Sequence, residues 1–302
     1  MFDGIYTPAI TPFDAAGRIN KPVFAELLES LIAAGVHGIV IAGSTGEYYV
    51  QTPQERVDLA AYAKQVIGGR VPLVVGTGAT RTEESVEYAR AAQEIGADAI
   101  LVGSPPYALP LAAENARHTL AIDQAAGLPV MLYNYPARMG VSMDAEYLAL
   151  VARSGNIRAI KESSGDIGRL HVLVNAHPRL EVSCGWDDQA LEFFAWGARS
   201  WVCAGSNFLA REHVALYQAC VLENDFAKGR AIMAALMPFM NFLDAGKFVQ
   251  SIKYGCELAG LAAGPARAPL QPLDDEEKDR FQALLVQLRR VVADIVTGGR
   301  HA

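Results

Sequence analysis

Lys161 follows directly on the run Ile157-Arg158-Ala159-Ile160. A lysine at the end of a buried strand holds its ammonium at the mouth of an apolar interior, where desolvation lowers its pKa and leaves a nucleophilic amine. That amine is what condensation with a ketone requires. The alternative is a lysine whose stem covers apolar surface while its head reaches solvent.

Other groups stand where they could serve such an amine. Tyr133, in Tyr133-Asn134-Tyr135-Pro136, and Tyr107, in Gly103-Ser104-Pro105-Pro106-Tyr107, end two apolar runs, and a phenol beside a lysine could pass protons during imine formation. Each could equally be a core tyrosine with one satisfied hydroxyl. The stretch Gly43-Ser44-Thr45-Gly46-Glu47 offers two hydroxyls and backbone N–H groups on a glycine-permitted turn, a cradle for a carboxylate or plain loop chemistry. Arg138 lies just past Pro136 and could clamp a second carboxylate through paired hydrogen bonds, or remain a solvated loop residue. The Gly-Ser-Thr-Gly turn is not a phosphate-binding P-loop, since no Gly-Lys-Ser/Thr follows. Gly76-Thr77-Gly78-Ala79-Thr80-Arg81 fails the dinucleotide fingerprint at Arg81.

The elements that must position these groups alternate along the chain. Short apolar, β-branched runs occur at Gly4–Ile10, Val36–Ala42, Val71–Val75, Ala99–Val102, Pro129–Tyr133, Ile157–Ile160, Leu180–Ser183 and Ser200–Cys203, giving eight candidate strands. The segments between them read as helices. Pro53–Ile67 and Thr82–Ile95 are the clearest, with Thr80 or Thr82 as the expected cap of the second. Strand–helix alternation implies parallel pairing, and eight such units match a closed (β/α)8 TIM barrel better than an open doubly wound sheet. In a barrel the site lies at the C-terminal strand ends, where the candidate residues fall. From Arg211 to Ala302 the chain reads as helical, with helices at Asp225–Leu243, Lys247–Ala263 and Asp274–Val296 and a Pro/Gly-rich break at Gly264–Pro272. The expected organisation is a barrel over residues 1–224 carrying the site and a C-terminal helical extension over 225–302 that forms part of an oligomer interface.

Composition narrows the class. The 302 residues are 51% hydrophobic and 20% charged, the profile of a globular protein. A net charge of −7 argues against a nucleic-acid partner and for a small molecule. A start at Met1-Phe2-Asp3-Gly4 and the absence of a long apolar run predict no secretory signal, no membrane span and a cytoplasmic location. Cys184, Cys203, Cys220 and Cys256 are too widely spaced for a zinc ribbon or redox pair and read as buried free thiols, and the six histidines show no metal-ligand spacing. No metal is expected.

Taken together, the strand-end motifs resemble those of the dihydrodipicolinate synthase / N-acetylneuraminate lyase family of class I Schiff-base aldolases, over nearly the whole chain from Tyr6-Thr7-Pro8 to Asp274. The pattern Gly-Ser/Thr-Thr-Gly-Glu is met at residues 43–47, Tyr-Asn-x-Pro at 133–136, and the lysine with its following turn at Lys161-Glu162-Ser163-Ser164-Gly165-Asp166. The resemblance implies a barrel with a helical extension, no cofactor, and a homotetramer built from tight dimers. It implies Lys161 as the Schiff-base lysine and Tyr133 as the proton shuttle. Ser44 and Thr45 would receive the 2-oxo acid carboxylate and link a hydroxyl relay, and Tyr107 would reach in from the neighbouring subunit.

Substrate features are mixed. Arg138 resembles the arginine with which synthase-type members bind the carboxylate of the aldehyde partner. Gly43–Glu47, Val50-Gln51, Lys161–Asp166 and Gly185-Trp186-Asp187-Asp188 look more like sialate lyases and 2-keto-3-deoxy sugar acid aldolases, in which Ser163, Gly185, Asp187 and Asp188 would serve a polyol tail. Pro106 and Thr80 depart from the lysine-regulated synthases, and Ala204 departs from the sialate lyases. The leading expectation is a lyase joining pyruvate, or another 2-oxo acid, to an aldehyde, of the 4-hydroxy-tetrahydrodipicolinate synthase type. The alternatives are cleavage of a 2-keto-3-deoxy sugar acid or an N-acetylneuraminate-like substrate, dehydration on the same imine, and a barrel without catalysis.

Overall fold

A computed structural model describes residues 1–298. Parallel strands β1 (Gly4–Pro8), β2 (Gly38–Ile41), β3 (Leu73–Gly76), β4 (Ala99–Gly103), β5 (Val130–Asn134), β6 (Ile157–Glu162), β7 (Glu181–Cys184) and β8 (Ser200–Val202) pair in chain order and close into a barrel. The helices α1 (Lys21–Ala33), α2 (Pro53–Ile67), α3 (Thr82–Ile95) and α4 (Ala112–Ala126) follow the first four strands. The short α5 (Pro136–Met139) precedes α6 (Ala145–Val151), and α7 (Ile167–Ala176), α8 (Ala190–Ala195) and α9 (Ser206–Tyr217) complete the ring.

The period of two along each strand divides its side chains between two cores. Ile5, Ile39, Ile41, Leu73, Val75, Ile100, Val102, Leu132 and Ile160 face outward and pack under the helices. Phe2, Tyr6, Val40, Val74, Leu101, Met131, Tyr133, Ala159 and Val202 fill the barrel itself. Lys161 is two residues beyond Ala159 on β6 and is aligned with Tyr133 on β5 and Ser183 on β7, so the same alternation turns it inward. Gly38 makes room for the ring below: a Cβ there would lie 2.1 Å from the Tyr6 ring.

Strand ends differ from expectation by a residue or two because pairing, rather than apolar content, sets them. β2 begins only at Gly38, where it first aligns with Tyr6 of β1. β6 continues through Glu162, so Lys161 is a strand residue and not the first residue of a loop. The helices Pro53–Ile67 and Thr82–Ile95 have their expected bounds, but neither Thr80 nor Thr82 caps the second. Its N-cap is Arg81, without a side-chain bond, and the Thr82 hydroxyl instead lies 2.9 Å from Nδ1 of His118. All four cysteines are free and buried.

Beyond the barrel run α10 (Phe226–Asp244), α11 (Phe248–Leu258) and α12 (Asp275–Val296), close to the expected spans. The second of these is shorter than the expected Lys247–Ala263. Gly260, with φ of +93°, takes the chain out of the helix, and residues 261–274 run irregularly to the next cap at Asp274. The last four residues of the expected helical tail lie outside the described residues. Phe281 of α12 is fully buried, its ring 5.7 Å from Phe208 of α9, 4.9 Å from Phe239 and 5.8 Å from Phe242 of α10, and 5.2 Å from Tyr254 of α11. This cluster fastens the extension to the barrel. No helix among the described residues is long and apolar enough to cross a membrane.

Removing that ring should loosen the extension without touching the strand ends. Phe281→Ala is expected to cost about 3–5 kcal/mol of stability, the range for emptying an aromatic core position, read as an earlier unfolding transition in denaturant. A transition shifted by less than about 1 kcal/mol would show that the cluster is not a structural centre.

Candidate active site

A cavity of about 280 Å³ opens at the C-terminal ends of the strands. It gathers Ser44 and Thr45 from the loop after β2, Tyr133 from β5, Arg138 from α5, Lys161 from β6, and Gly185 and Asp187 from the turn after β7.

Lys161 is only 8% exposed, and its ammonium lies 4.3 Å from the centroid of the Tyr133 ring. Burial lowers its pKa from the usual lysine value, opposed mainly by the nearby Asp187 carboxyl. Asp187 is itself pushed up to about 7 by burial, although the indole Nε1–H of Trp201 donates to its Oδ1 over 2.9 Å. Both members of this pair are displaced toward their neutral forms because neither is well hydrated. The lysine is therefore biased toward its free amine relative to an exposed one.

Burial also pushes the Tyr133 phenol up, to about 12, against the lowering influence of Ser44 and Arg138. The phenol holds its proton at neutral pH and can donate it, and the Ser44 hydroxyl 3.4 Å away offers a route for its return. Next to this pair the strand ends are locked by Glu162, which is buried. Its carboxylate accepts from Asn134 Nδ2 at 2.9 Å, from the Ser164 N–H at 2.8 Å and from Nε of Arg169 at 3.0 Å. Asn134 and Glu162 each follow a reacting side chain by one residue, so their bond holds the Tyr133 and Lys161 strand ends side by side.

Gly185 is required by the lysine stem. A Cβ at this position would lie 2.0 Å from Oγ of Ser163, 2.7 Å from Cγ of Lys161 and 2.8 Å from its Cε. The Ser163 hydroxyl donates to the Gly185 carbonyl over 2.9 Å, which ties the turn after β7 to the end of β6. Ser163 thus braces the wall and does not itself line the cavity.

The remaining sequence candidates divide. Arg138 lines the cavity with its guanidinium 5.8 Å from the Tyr135 ring. Asp188 does not line it: its Oδ1 is buried without a hydrogen-bond partner among the described residues, and burial with the neighbouring Glu192 raises its carboxyl. Tyr107 is 94% exposed, has φ of +70°, and stands outside the cavity of its own chain. Sequence reasoning missed Tyr49, Asp244, Lys247 and Phe248, which also line the wall. The last three come from the α10–α11 junction, and no local motif announces them. Lys247 is a second amine at the cavity, but its ammonium is engaged by Glu277 and by the Pro272 carbonyl.

The geometry makes one position sensitive. Gly185→Ala must displace the Lys161 side chain, and a shift of about 1 Å in a reacting group costs on the order of a hundredfold in rate. The variant is expected to fold and to lose about that factor in the rate of imine formation with a 2-oxo acid. A rate within about twofold of the parent would place the reacting amine elsewhere.

Comparisons with known proteins agree with this arrangement. The family model described as the dihydrodipicolinate synthetase family matches residues 1–288. The 4-hydroxy-tetrahydrodipicolinate synthase of Exiguobacterium sibiricum is 38% identical over 271 residues, 89% of this chain and 92% of that one. YagE of Escherichia coli K12, provisionally named a 2-dehydro-3-deoxy-D-gluconate aldolase, is 34% identical over 96% of this chain and 98% of its own. Among solved structures, the 4-hydroxy-tetrahydrodipicolinate synthase of Methylacidiphilum fumariolicum SolV superposes with a TM-score of 0.94 at 30% identity, covering 98% of this chain and 99% of that one. YagE in complex with pyruvate superposes with a TM-score of 0.91 at 33% identity, covering 96% and 99%. The chain belongs to the dihydrodipicolinate synthetase family and is an aldolase-type lyase on a (β/α)8 barrel.

Proposed function

We propose that this lyase condenses pyruvate with an aldehyde that bears a carboxylate, the reaction type of a 4-hydroxy-tetrahydrodipicolinate synthase, through an imine on Lys161. The observation that carries the reading is the convergence of a desolvated amine, a protonated phenol, a hydroxyl-bearing loop and a guanidinium on one cavity.

In this reading the neutral Lys161 amine attacks the ketone carbon of pyruvate while its carboxylate sits on Ser44, Thr45 and the loop N–H groups. Tyr133 donates a proton to the departing hydroxyl, water leaves, and a protonated imine remains. The Tyr133 phenolate so formed takes a methyl proton to give the enamine, and as the enamine carbon adds to the aldehyde the phenol returns that proton to the aldehyde oxygen. Water then releases the product and restores the amine. Arg138 holds the second carboxylate. No step calls for a cofactor.

Cleavage of a 2-keto-3-deoxy sugar acid is the second reading, favoured by one observation: the cavity wall also carries Asp187 and Asp244, carboxyls suited to hydroxyl groups. YagE, with its aldolase name, is a relative of comparable similarity. Asp188 and Ser163 would act behind this wall rather than on it.

We propose further that the working form is a cytoplasmic homotetramer of tight dimers, in which Tyr107 joins the hydroxyl relay of a neighbouring subunit. Its support is the loop after β4, which presents Tyr107, Leu109 and Leu111 to solvent, the two aliphatic residues 59% and 73% exposed. An apolar projection of this kind calls for cover.

Lys161→Ala should abolish turnover while leaving the fold intact, and Tyr133→Phe should lose roughly two to four powers of ten in rate while still forming the imine slowly. Steady-state rates and circular dichroism check both, and unchanged kinetics in Tyr133→Phe would make that residue a packing element. The substrate question turns on Arg138→Ala and Asp187→Ala measured against one panel of aldehyde acids and 2-keto-3-deoxy acids. The synthase reading expects Arg138→Ala to cost about 2–4 kcal/mol in kcat/KM with the pyruvate half-reaction preserved. A larger loss in Asp187→Ala on hydroxylated substrates would overturn that reading in favour of the aldolase.

A further inference from the structure

The loop that presents Ser44 and Thr45 is held at both ends by residues in an unusual backbone conformation. Ala42 has φ of +52° and Glu47 φ of +58°, the left-handed region that disfavours a residue with a Cβ. Such conformations persist where the surroundings over-determine them. At Glu47 the surroundings are the C-terminal extension.

Glu47 is fully buried and Lys253, on α11, is 2% exposed; their Oε1 and Nζ atoms are 2.7 Å apart. The other carboxylate oxygen of Glu47 accepts from the backbone N–H of Arg267 over 2.9 Å. Lys253 also donates to the Pro265 carbonyl at 2.9 Å, and its ammonium lies 4.3 Å from the Phe13 ring centroid. The Arg267 guanidinium lies 4.3 Å from the same ring and donates to the carbonyls of Gly17 and Val50 and to both oxygens of Glu55. The backbone is drawn in as well, since a Cβ on Gly264 would lie 1.9 Å from the Phe13 carbonyl oxygen. On the barrel side the Gly46 carbonyl accepts from Thr11 Oγ1 at 2.8 Å and from Gln51 Nε2 at 2.7 Å.

A buried ion pair adds little net stability over well-packed apolar residues, because desolvation offsets the attraction, and here the pair joins the loop after β2 to α11. Neither Glu47, Lys253 nor Arg267 lines the cavity. We infer that Glu47, Lys253 and Arg267 are positioning residues that aim the Ser44-Thr45 loop at the carboxylate of the 2-oxo acid, so that the C-terminal extension sets affinity for the first substrate. The inference rests on the reading of Lys161 and of this loop given above. The strap acts before the aldehyde enters, and loosening it weakens 2-oxo acid binding while the amine and phenol stay in place.

The double variant Glu47→Gln/Lys253→Met removes both charges together, so no buried ion is left unpaired. Borohydride trapping of pyruvate gives its half-saturating concentration and limiting rate, with thermal unfolding followed on the same samples. The expected result is a rise in half-saturation of roughly tenfold or more with a limiting rate within about threefold of the parent. Arg267→Ala, which removes the outer tie and leaves the pair intact, is expected to raise half-saturation about threefold or more, and it serves alone if the double variant does not fold. Half-saturation within about twofold of the parent in a folded variant overturns the inference, as does a loss confined to the limiting rate. Failure of the parent protein to trap pyruvate would instead overturn the reading of Lys161, and the inference with it.

Discussion

An ammonium group inside a closed barrel loses most of its hydration, and the surroundings of Lys161 restore little of it. Above it lies a tyrosine ring at 4.3 Å, and beside it a carboxyl that burial has raised to about 7. The low polarity that makes the amine nucleophilic also keeps the Tyr133 phenol protonated and Asp187 near the middle of its titration. One constraint, the exclusion of water by closure of the sheet, thus sets the protonation of the three groups on which the proposed chemistry depends.

The rest of the architecture serves placement. Alternation along β6 turns Lys161 inward, alignment with β5 sets Tyr133 beside it, and the Glu162–Asn134 bond prevents the two strand ends from slipping. The absence of a side chain at Gly185 leaves the lysine stem its path. Around this rigid floor the walls are loops, and two of them depend on the extension: the α10–α11 junction supplies Asp244 and Lys247, and the segment after α11 grips the loop after β2. The extension is therefore continuous with the site, although its helices follow the last strand in the chain.

Much of this was legible in the sequence because it is written locally. Lys161, Tyr133, Ser44, Thr45 and Arg138 stand at strand ends next to apolar runs, and short-range pattern places them. The barrel followed from the same alternation. What was not legible arises from contacts distant in sequence: Arg267 meets Glu47 across 220 positions, and Asp244 looks like any helix-terminal acid until the chain folds back over the barrel. The Thr82 cap failed for a related reason, its hydroxyl having a tertiary partner in His118. A motif also carries neighbours along with it: Ser163 and Asp188 stand beside cavity residues in the sequence, but neither side chain lines the cavity itself.

The claim on which the account turns is that the reacting amine belongs to Lys161. Borohydride reduction in the presence of pyruvate at near-neutral pH, followed by mass mapping of the peptides, tests it directly. A single reduced pyruvyl adduct on the peptide containing Lys161 is the predicted result. An adduct on Lys247, a second amine at the cavity, or on Lys253, or no adduct at all, would contradict it.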